Sequence, residues 1–268
     1  MKRALLFSGG IVLAFVAALY LGAMGYMAWH ERAFVFIPDH VSIGDVPPGY
    51  GARIVDVPGG GTVLTWSMAA ASADKPTFVF FTGNAARIVD FVATGEAFHR
   101  QGWGVVLASY RGYSGNAGAP SEDGLMADAR AVLASLPKHG KLIIWGHSLG
   151  SGVAARMARE HRGDALVLES AYTSAPDVAA RHYWFFPVHW LMRDRFETES
   201  LVDQIRMPVL VIHGTDDPVI PFDMGETLAH DFGARATFVP LDGVGHIPHQ
   251  VDLTPVVAKW LAENRLVR

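Results

Sequence analysis

The sequence contains no cysteine, which excludes disulfides, cysteine-ligated zinc, iron–sulfur clusters and a cysteine nucleophile. Any covalent chemistry must use another residue. It has no basic block either: 22 Lys and Arg are scattered among 26 Asp and Glu, for a net charge of -4. Without a clustered positive surface there is no electrostatic footprint for nucleic acid, and no nucleic-acid partner is expected. No H-E-x-x-H or other tight ligand spacing occurs among the 12 histidines, so neither a metal site nor a cofactor is expected. Internal repeats and low-complexity tracts are missing too.

Charge is missing altogether from Ala4 to Trp29, "ALLFSGGIVLAFVAALYLGAMGYMAW". A helix needs about 20 apolar residues to cross a bilayer, so this stretch is long enough to span one. Lys2 and Arg3 precede it, and Arg32 follows it closely beside Glu31. The positive-inside tendency then puts the N-terminus in the cytoplasm and the remainder outside it, as a single-pass membrane protein with Tyr26 and Trp29 at the far interface. A cleaved secretory signal ending near Ala23 and Gly25 is the alternative, although the apolar run exceeds the roughly 7 to 15 residues usual for one. Residues 1–30 are therefore expected to be an anchor and 31–268 the functional domain.

What remains is half hydrophobic and carries 28 Gly and 15 Pro, a composition that suits a single large core. "PDHVSIGDVPPGYG", from Pro38 to Gly51, is rich in turn formers and predicts a surface connection. "ARIVDV" and "TVLTWSM" flank "PGGG" and predict a hairpin. Six apolar runs follow, "TFVFF", "GVVLAS", "KLIIW", "ALVLES", "PVLVIH" and "ATFVPL". They alternate with helical patterns over Ala85–Arg100, Ser121–Leu136, Ser151–His161 and Pro255–Asn264. Such alternation predicts an α/β fold: a mostly parallel sheet of about eight strands with helices on both faces. One segment breaks the rhythm. Residues 173–200 hold Tyr183, Trp184, Phe185, Phe186 and Trp190 and are too long for a simple connection, which predicts a small helical cap over one end of the sheet.

The stretch "KLIIWGHSLGSG" places Ser148 in a G-x-S-x-G pattern between an apolar strand and a helix. In that context the serine sits on a strained strand-to-helix turn, and the flanking glycines let the backbone close without a side-chain clash. A serine hydroxyl is a poor nucleophile until a base takes its proton, so a histidine and an orienting carboxylate are required downstream. "PVLVIHGTDDPVIP" offers Asp216 and Asp217 just past one strand, and "PLDGVGHIPH" offers His246 just past the next. The order serine, carboxylate, histidine at successive strand ends is the one this arrangement needs. For a developing oxyanion, one donor is expected in the N–H of Leu149, directly after the serine, and a second in the N–H of Asn84, in "TGNAA" after "TFVFF". His147, His182, His189 and His213 are expected in the core or a pocket. Arg111, Tyr113 and Glu122 are expected to pair or cap structurally.

"FFTGNAARI", "YRGYSGNAGAPSEDG", "WGHSLGSGVA", "ESAYTS", "HGTDDPVIP" and "GVGH", in this order, resemble the α/β-hydrolase superfamily over residues 35 to 265. Within it the chain is similar to the membrane-anchored Bem46-like branch, of the ABHD13 and ABHD17 type. The resemblance implies the α/β-hydrolase fold and a serine hydrolase. The family pattern G-x-x-D-x-x-V-P aligns with Gly214, Asp217 and Pro221, with Ile220 where valine is usual, so the resemblance implies Asp217 as the triad acid and Asp216 as a solvated neighbour. His246 fits the family's G-x-G-H, and His249 does not. Thr82 departs from the histidine that commonly opens the family's H-G-N-A, which changes the hydrogen bonding available to that loop.

These readings together predict hydrolysis of an ester or thioester of a small-molecule or lipid-like acyl substrate, bound near Tyr172, Trp184, Phe185 and Trp190. A peptidase of the same fold and a non-catalytic scaffold are the rival expectations.

Overall fold

A computed structural model describes residues 2–39, 41, 44–137, 140–246 and 251–267, with side chains from residue 10 onward. The chain opens with helix α1 (Lys2–Trp29), which matches the charge-free stretch. Within it, Gly10–Trp29 has a mean hydropathy of 2.0, and none of its residues is fully buried. It is long and apolar enough to cross a membrane as an anchor or to serve as a signal. A short helix α2 (Glu31–Val35) follows at once.

Eight strands form one sheet: β1 (Gly51–Asp56), β2 (Thr62–Met68), β3 (Thr77–Phe81), β4 (Gly104–Ala108), β5 (Leu142–His147), β6 (Ala165–Glu169), β7 (Val209–Gly214) and β8 (Ala236–Leu241), in spatial order β1-β2-β4-β3-β5-β6-β7-β8. The β1–β2 hairpin pairs antiparallel and joins β4 antiparallel, whereas every pair from β4 to β8 is parallel. The strands β4, β5, β6 and β7 are buried along their whole length, as is β3 beyond Thr77, and they are mainly apolar because both faces are covered. Alternate residues face opposite layers. Val79, Phe81, Ile144 and Val211 pack with α4 (Glu122–Ser135), α5 (Leu149–Arg159) and α8 (Phe222–Phe232). Phe78, Phe80, Ile143 and Ile212 pack with α3 (Val92–His99) and α9 (Thr254–Glu263). The α/β architecture with helices on both faces is the one expected from the alternating pattern.

The helix expected over 85–100 starts late, as a 3-10 turn at Ile88–Phe91 continued by α3. Ala85 takes a positive φ of 56° and the Arg87 N–H is held by the Asp90 carboxylate at 2.8 Å, so residues 85–87 form a bend and a cap. The excursion between β6 and β7 carries two short helices, α6 (Ala175–His182) and α7 (Val188–Leu191). The Ser174 hydroxyl caps α6 by accepting from the Asp177 N–H.

Candidate active site

Ser148 stands between the end of β5 and the start of α5 with φ 50° and ψ −121°, a left-handed conformation that a side chain rarely adopts. The surrounding glycines make that turn possible. A Cβ on Gly146 would meet the backbone of Gly150, and one on Gly150 would meet the carbonyl oxygens of Phe81 and Thr82. The Ser148 N–H donates to the Glu169 carbonyl at 2.9 Å, which ties the turn to β6.

Two other strand ends reach the same point. The loop after β7 carries Asp217, whose side chain is fully buried. Its Oδ1 accepts the N–H groups of Val219 and Ile220 at 2.8 and 2.9 Å. The loop after β8 carries His246, and Gly214 lets it approach, since a Cβ there would strike the carbonyls of Val244 and Gly245. His246 Nδ1 lies 2.8 Å from Asp217 Oδ2, and its Nε2 lies 3.0 Å from Ser148 Oγ. A carboxylate accepts only, so Nδ1 carries the proton and Nε2 is left to accept from the serine hydroxyl. The three side chains thus form one hydrogen-bonded line that can take a proton from Ser148 and stabilise the charge on the imidazole.

Burial pushes the Asp217 carboxyl up, but hydrogen bonds from His213, His246 and the Ile220 N–H outweigh it and hold the group well below the usual carboxylate range. His213 Nε2 lies 3.0 Å from the Ile220 carbonyl and 3.5 Å from Asp217 Oδ2, so this nitrogen must donate. His213 is fully buried, as a core or pocket residue should be, and the structure adds that it faces the carboxylate. The spacing His213-x-x-x-Asp217 across a tight loop was the available signal. Glu169 was missed: it is buried at the end of β6 and accepts from Trp145 Nε1 at 2.7 Å, with His147 at 3.5 Å. A charged residue closing a wholly apolar strand could have marked it.

Gly83 brings the loop after β3 beside the serine, since a Cβ on it would lie 3.2 Å from Ser148 Cβ. Asn84 follows. Its carboxamide is engaged away from the serine: Oδ1 accepts from the Ile37 N–H and the Tyr113 hydroxyl, both at 2.8 Å, and Nδ2 donates to the Val35 carbonyl at 2.8 Å. Thr82 is buried, and its hydroxyl finds no partner among the described residues, where the family commonly has histidine. Leu149 is the first residue of α5.

The remaining expected residues fall into two groups. Tyr172 is buried, and its hydroxyl donates to the Leu149 carbonyl at 3.2 Å. Trp184, Phe185 and Trp190 stand on the outer surface, and among the described residues no hydrogen bond or ring contact joins them to Ser148, Asp217 or His246. Asp216 is exposed, and His249 lies outside the described residues. Arg111 pairs with the buried Asp128, and Glu122 accepts the N–H groups of Arg195 and Phe196, both structural contacts.

Another buried carboxylate, Glu31 of α2, was missed as well. Its Oε1 accepts the N–H groups of Arg193 and Asp194 at 2.6 and 2.8 Å, and its Oε2 accepts from Arg193 Nε at 2.9 Å. Partners 162 residues away leave no local trace in sequence.

Comparison with known proteins agrees with this architecture. Residues 76–203 match the α/β hydrolase fold family. An uncharacterized protein of Mycobacterium tuberculosis is 32% identical over 88% of this chain and 87% of its own length. The lysophosphatidylserine lipases ABHD12 of Xenopus tropicalis and Danio rerio are 32% and 33% identical over 72% and 70% of this chain, which spans 56% and 55% of those proteins, little more than half their length. Among solved structures, the esterase Pf2001 of Pyrococcus furiosus superposes with a TM-score of 0.68 at 16% identity, covering 84% of this chain and 98% of that one. Est1E of Butyrivibrio proteoclasticus gives 0.64 at 18%, covering 80% and 98%. At these identities the structural likeness speaks for the fold, and with the sequence relatives it leads to one conclusion: the chain belongs to the α/β-hydrolase family.

Proposed function

We propose that the protein is a serine hydrolase that cleaves acyl esters or thioesters, including lipid-like ones, through an acyl-enzyme. The observation that carries this is the unbroken line Ser148 Oγ, His246 Nε2, His246 Nδ1, Asp217 Oδ2 at 3.0 and 2.8 Å, with the serine on a strained turn. His246 takes the Ser148 proton as Oγ attacks the acyl carbon. The charge that develops on the carbonyl oxygen is received by the N–H groups of Asn84 and Leu149, and Asp217 stabilises the imidazolium. His246 then protonates the leaving alcohol or thiol. A water molecule, deprotonated in turn by His246, attacks the acyl-enzyme and releases the acid with Ser148 restored.

A lipid-like acyl substrate is favoured by two things. The curated relatives include lysophosphatidylserine lipases. The loop beside Ser148 is also hydrogen-bonded through Asn84 to the segment that leaves α1. The apolar helix serves here as an uncleaved anchor with its N-terminus in the cytoplasm. Supporting retention, the Tyr20 hydroxyl donates to the Phe185 carbonyl at 2.7 Å and its ring stacks on Phe186 at 5.6 Å. Cleavage near Ala23 or Gly25 would remove both contacts.

The test is hydrolysis of nitrophenyl acyl esters from acetyl to palmitoyl by the detergent-solubilised chain, with Ser148→Ala in parallel. Removing the nucleophile should lower kcat by about 10⁴-fold or more. Equal turnover in Ser148→Ala would overturn the scheme, and cleavage of amides with esters left intact would indicate a peptidase.

A further inference from the structure

The aromatic residues of the 173–200 excursion are exposed far beyond what a soluble surface tolerates in one cluster: Trp190 by 90%, Trp184 by 80% and Phe185 by 50%. They lie alongside an apolar helix. α7 packs on α1, and Val188, Leu191 and Met192 face Met27 and Phe34 across a small cavity. Farther along, Phe185 and Phe186 contact Tyr20 by the hydrogen bond and stacked rings already described. The Arg193 guanidinium donates to the Ala28 carbonyl at 3.3 Å, close to the helix end. The strip 185–193 therefore follows α1 from the level of residue 20 to that of residue 28.

That register fixes a depth. A bilayer core of about 30 Å takes about 20 helical residues at about 1.5 Å each. Within the charge-free run Ala4–Trp29 the core can occupy any window from residues 4–23 to residues 10–29. In the first placement Tyr20 lies about 5 Å inside the hydrocarbon boundary, and in the second about 14 Å. No placement leaves the residues bonded to Tyr20 in water.

We propose that Trp184, Phe185 and Trp190 are seated in the interface and outer hydrocarbon of the lipid bilayer beside α1, making the excursion a second contact with the membrane. The inference rests on α1 being retained as an anchor and is independent of the ester chemistry. The backbone of this segment suits the environment. Several of its N–H groups bond within the segment, Phe186 to the Tyr183 carbonyl at 2.9 Å, Val188 to Phe186 at 2.8 Å and Trp190 to Pro187 at 2.9 Å, and Pro187 has none to satisfy. The Phe185 carbonyl is taken by Tyr20. Tryptophan is favoured at the headgroup boundary, where an apolar ring meets a polar N–H. The basic side chain of Arg193 lies at the Ala28 end, where headgroups would meet it.

The absence of cysteine makes the test direct. Trp184→Cys, Trp190→Cys, Val16→Cys in α1 and Ala73→Cys, in the exposed loop ahead of β3, are each labelled with an environment-sensitive nitrobenzoxadiazole dye. The full chain is reconstituted in phosphatidylcholine vesicles, with quenching by nitroxide-bearing lipid in the bilayer and by iodide in the water. Labels at 184 and 190 should be quenched several-fold more by the lipid nitroxide than the label at 73 and shielded from iodide, as at 16. Protection at 16 with iodide access at 184 and 190 equal to that at 73 would overturn the proposal and leave the anchor standing. Iodide access at 16 itself would overturn the anchor and this inference together, whatever the esterase assay gives.

Discussion

The side chain of Asn84 holds the main chain of Ile37, accepting its N–H at 2.8 Å, while the same carboxamide donates to Val35 on the preceding turn. The loop that flanks Ser148 is thereby fastened to the end of α2 and the residues just after it, and the Tyr113 hydroxyl donates to the same carboxamide oxygen. Through this one residue, the loop beside the serine is joined to the segment that leaves the apolar helix.

Asn84→Ala should separate this tie from the main-chain donor assigned to the same residue, because the N–H remains while three side-chain bonds are lost. Leaving buried partners unmatched costs about 1–3 kcal/mol each, less for the exposed Ile37, so the melting temperature should fall by several degrees. If the tie holds the oxyanion donor in place, kcat for nitrophenyl esters should fall about 10- to 100-fold with a smaller change in KM, since a misplacement of about 1 Å costs on that order. A lower melting temperature with unchanged kcat would show that the loop keeps its geometry without the carboxamide.

Ser148 was legible because a strained elbow needs a local signature: Gly146 and Gly150 sit where any Cβ would strike backbone. Place in the chain after β7 offered Asp216 and Asp217 alike, and the family pattern chose between them; His246 was offered by the loop after β8 and by the family's G-x-G-H. Contacts between distant segments were not legible. Glu31 looks in sequence like a partner for Arg32, yet its oxygens are taken by Arg193 and Asp194, while Arg32 reaches Asp194 at 2.8 Å. The aromatic run 183–190 carried a signal of importance without a direction. Apolar rings that line a pocket and apolar rings that face outward have the same sequence, and only the contact of Phe185 and Phe186 with Tyr20 distinguishes them.

Asp217 gives a pH dependence with a definite sign. An unfolded aspartate titrates near about 3.9, and in the folded protein the group lies well below that because three hydrogen bonds outweigh its burial. Its ionised form therefore contributes stability that is fully present above about pH 4. That contribution is lost as the pH falls toward the folded value, because the unfolded chain binds the proton first. The difference in unfolding free energy between the unmodified chain and Asp217→Asn should be largest between about pH 6 and 8 and shrink below about pH 4, as measured by urea unfolding at stepped pH. The amide also presents a donor to His246 Nδ1 and favours the wrong tautomer, so kcat should fall by about 10⁴-fold. A stability difference that widens toward acid would contradict the assigned direction.

Glu31 offers a sharper separation of charge from capping, because its two oxygens do different things. Oε1 receives both main-chain N–H groups, of Arg193 and Asp194, whereas Oε2 receives only the Arg193 side chain, which is 62% exposed. Glu31→Gln can keep the two main-chain bonds through its amide oxygen and gives up the ion pair, which at such exposure contributes about 0–1 kcal/mol. Glu31→Ala removes all three and leaves main-chain donors unsatisfied in a half-buried turn, at a cost of about 2–4 kcal/mol. The loss should appear locally, as faster tryptic cleavage after Arg193 or Arg195 under native conditions, outside the strip that meets the bilayer, because opening that turn no longer breaks these bonds. The Gln variant should therefore be cleaved within about fivefold of the rate for the unmodified chain, and the Ala variant more than tenfold faster. Equal acceleration in both would mean that the ion pair, and not the pair of main-chain bonds, fastens the excursion to α2.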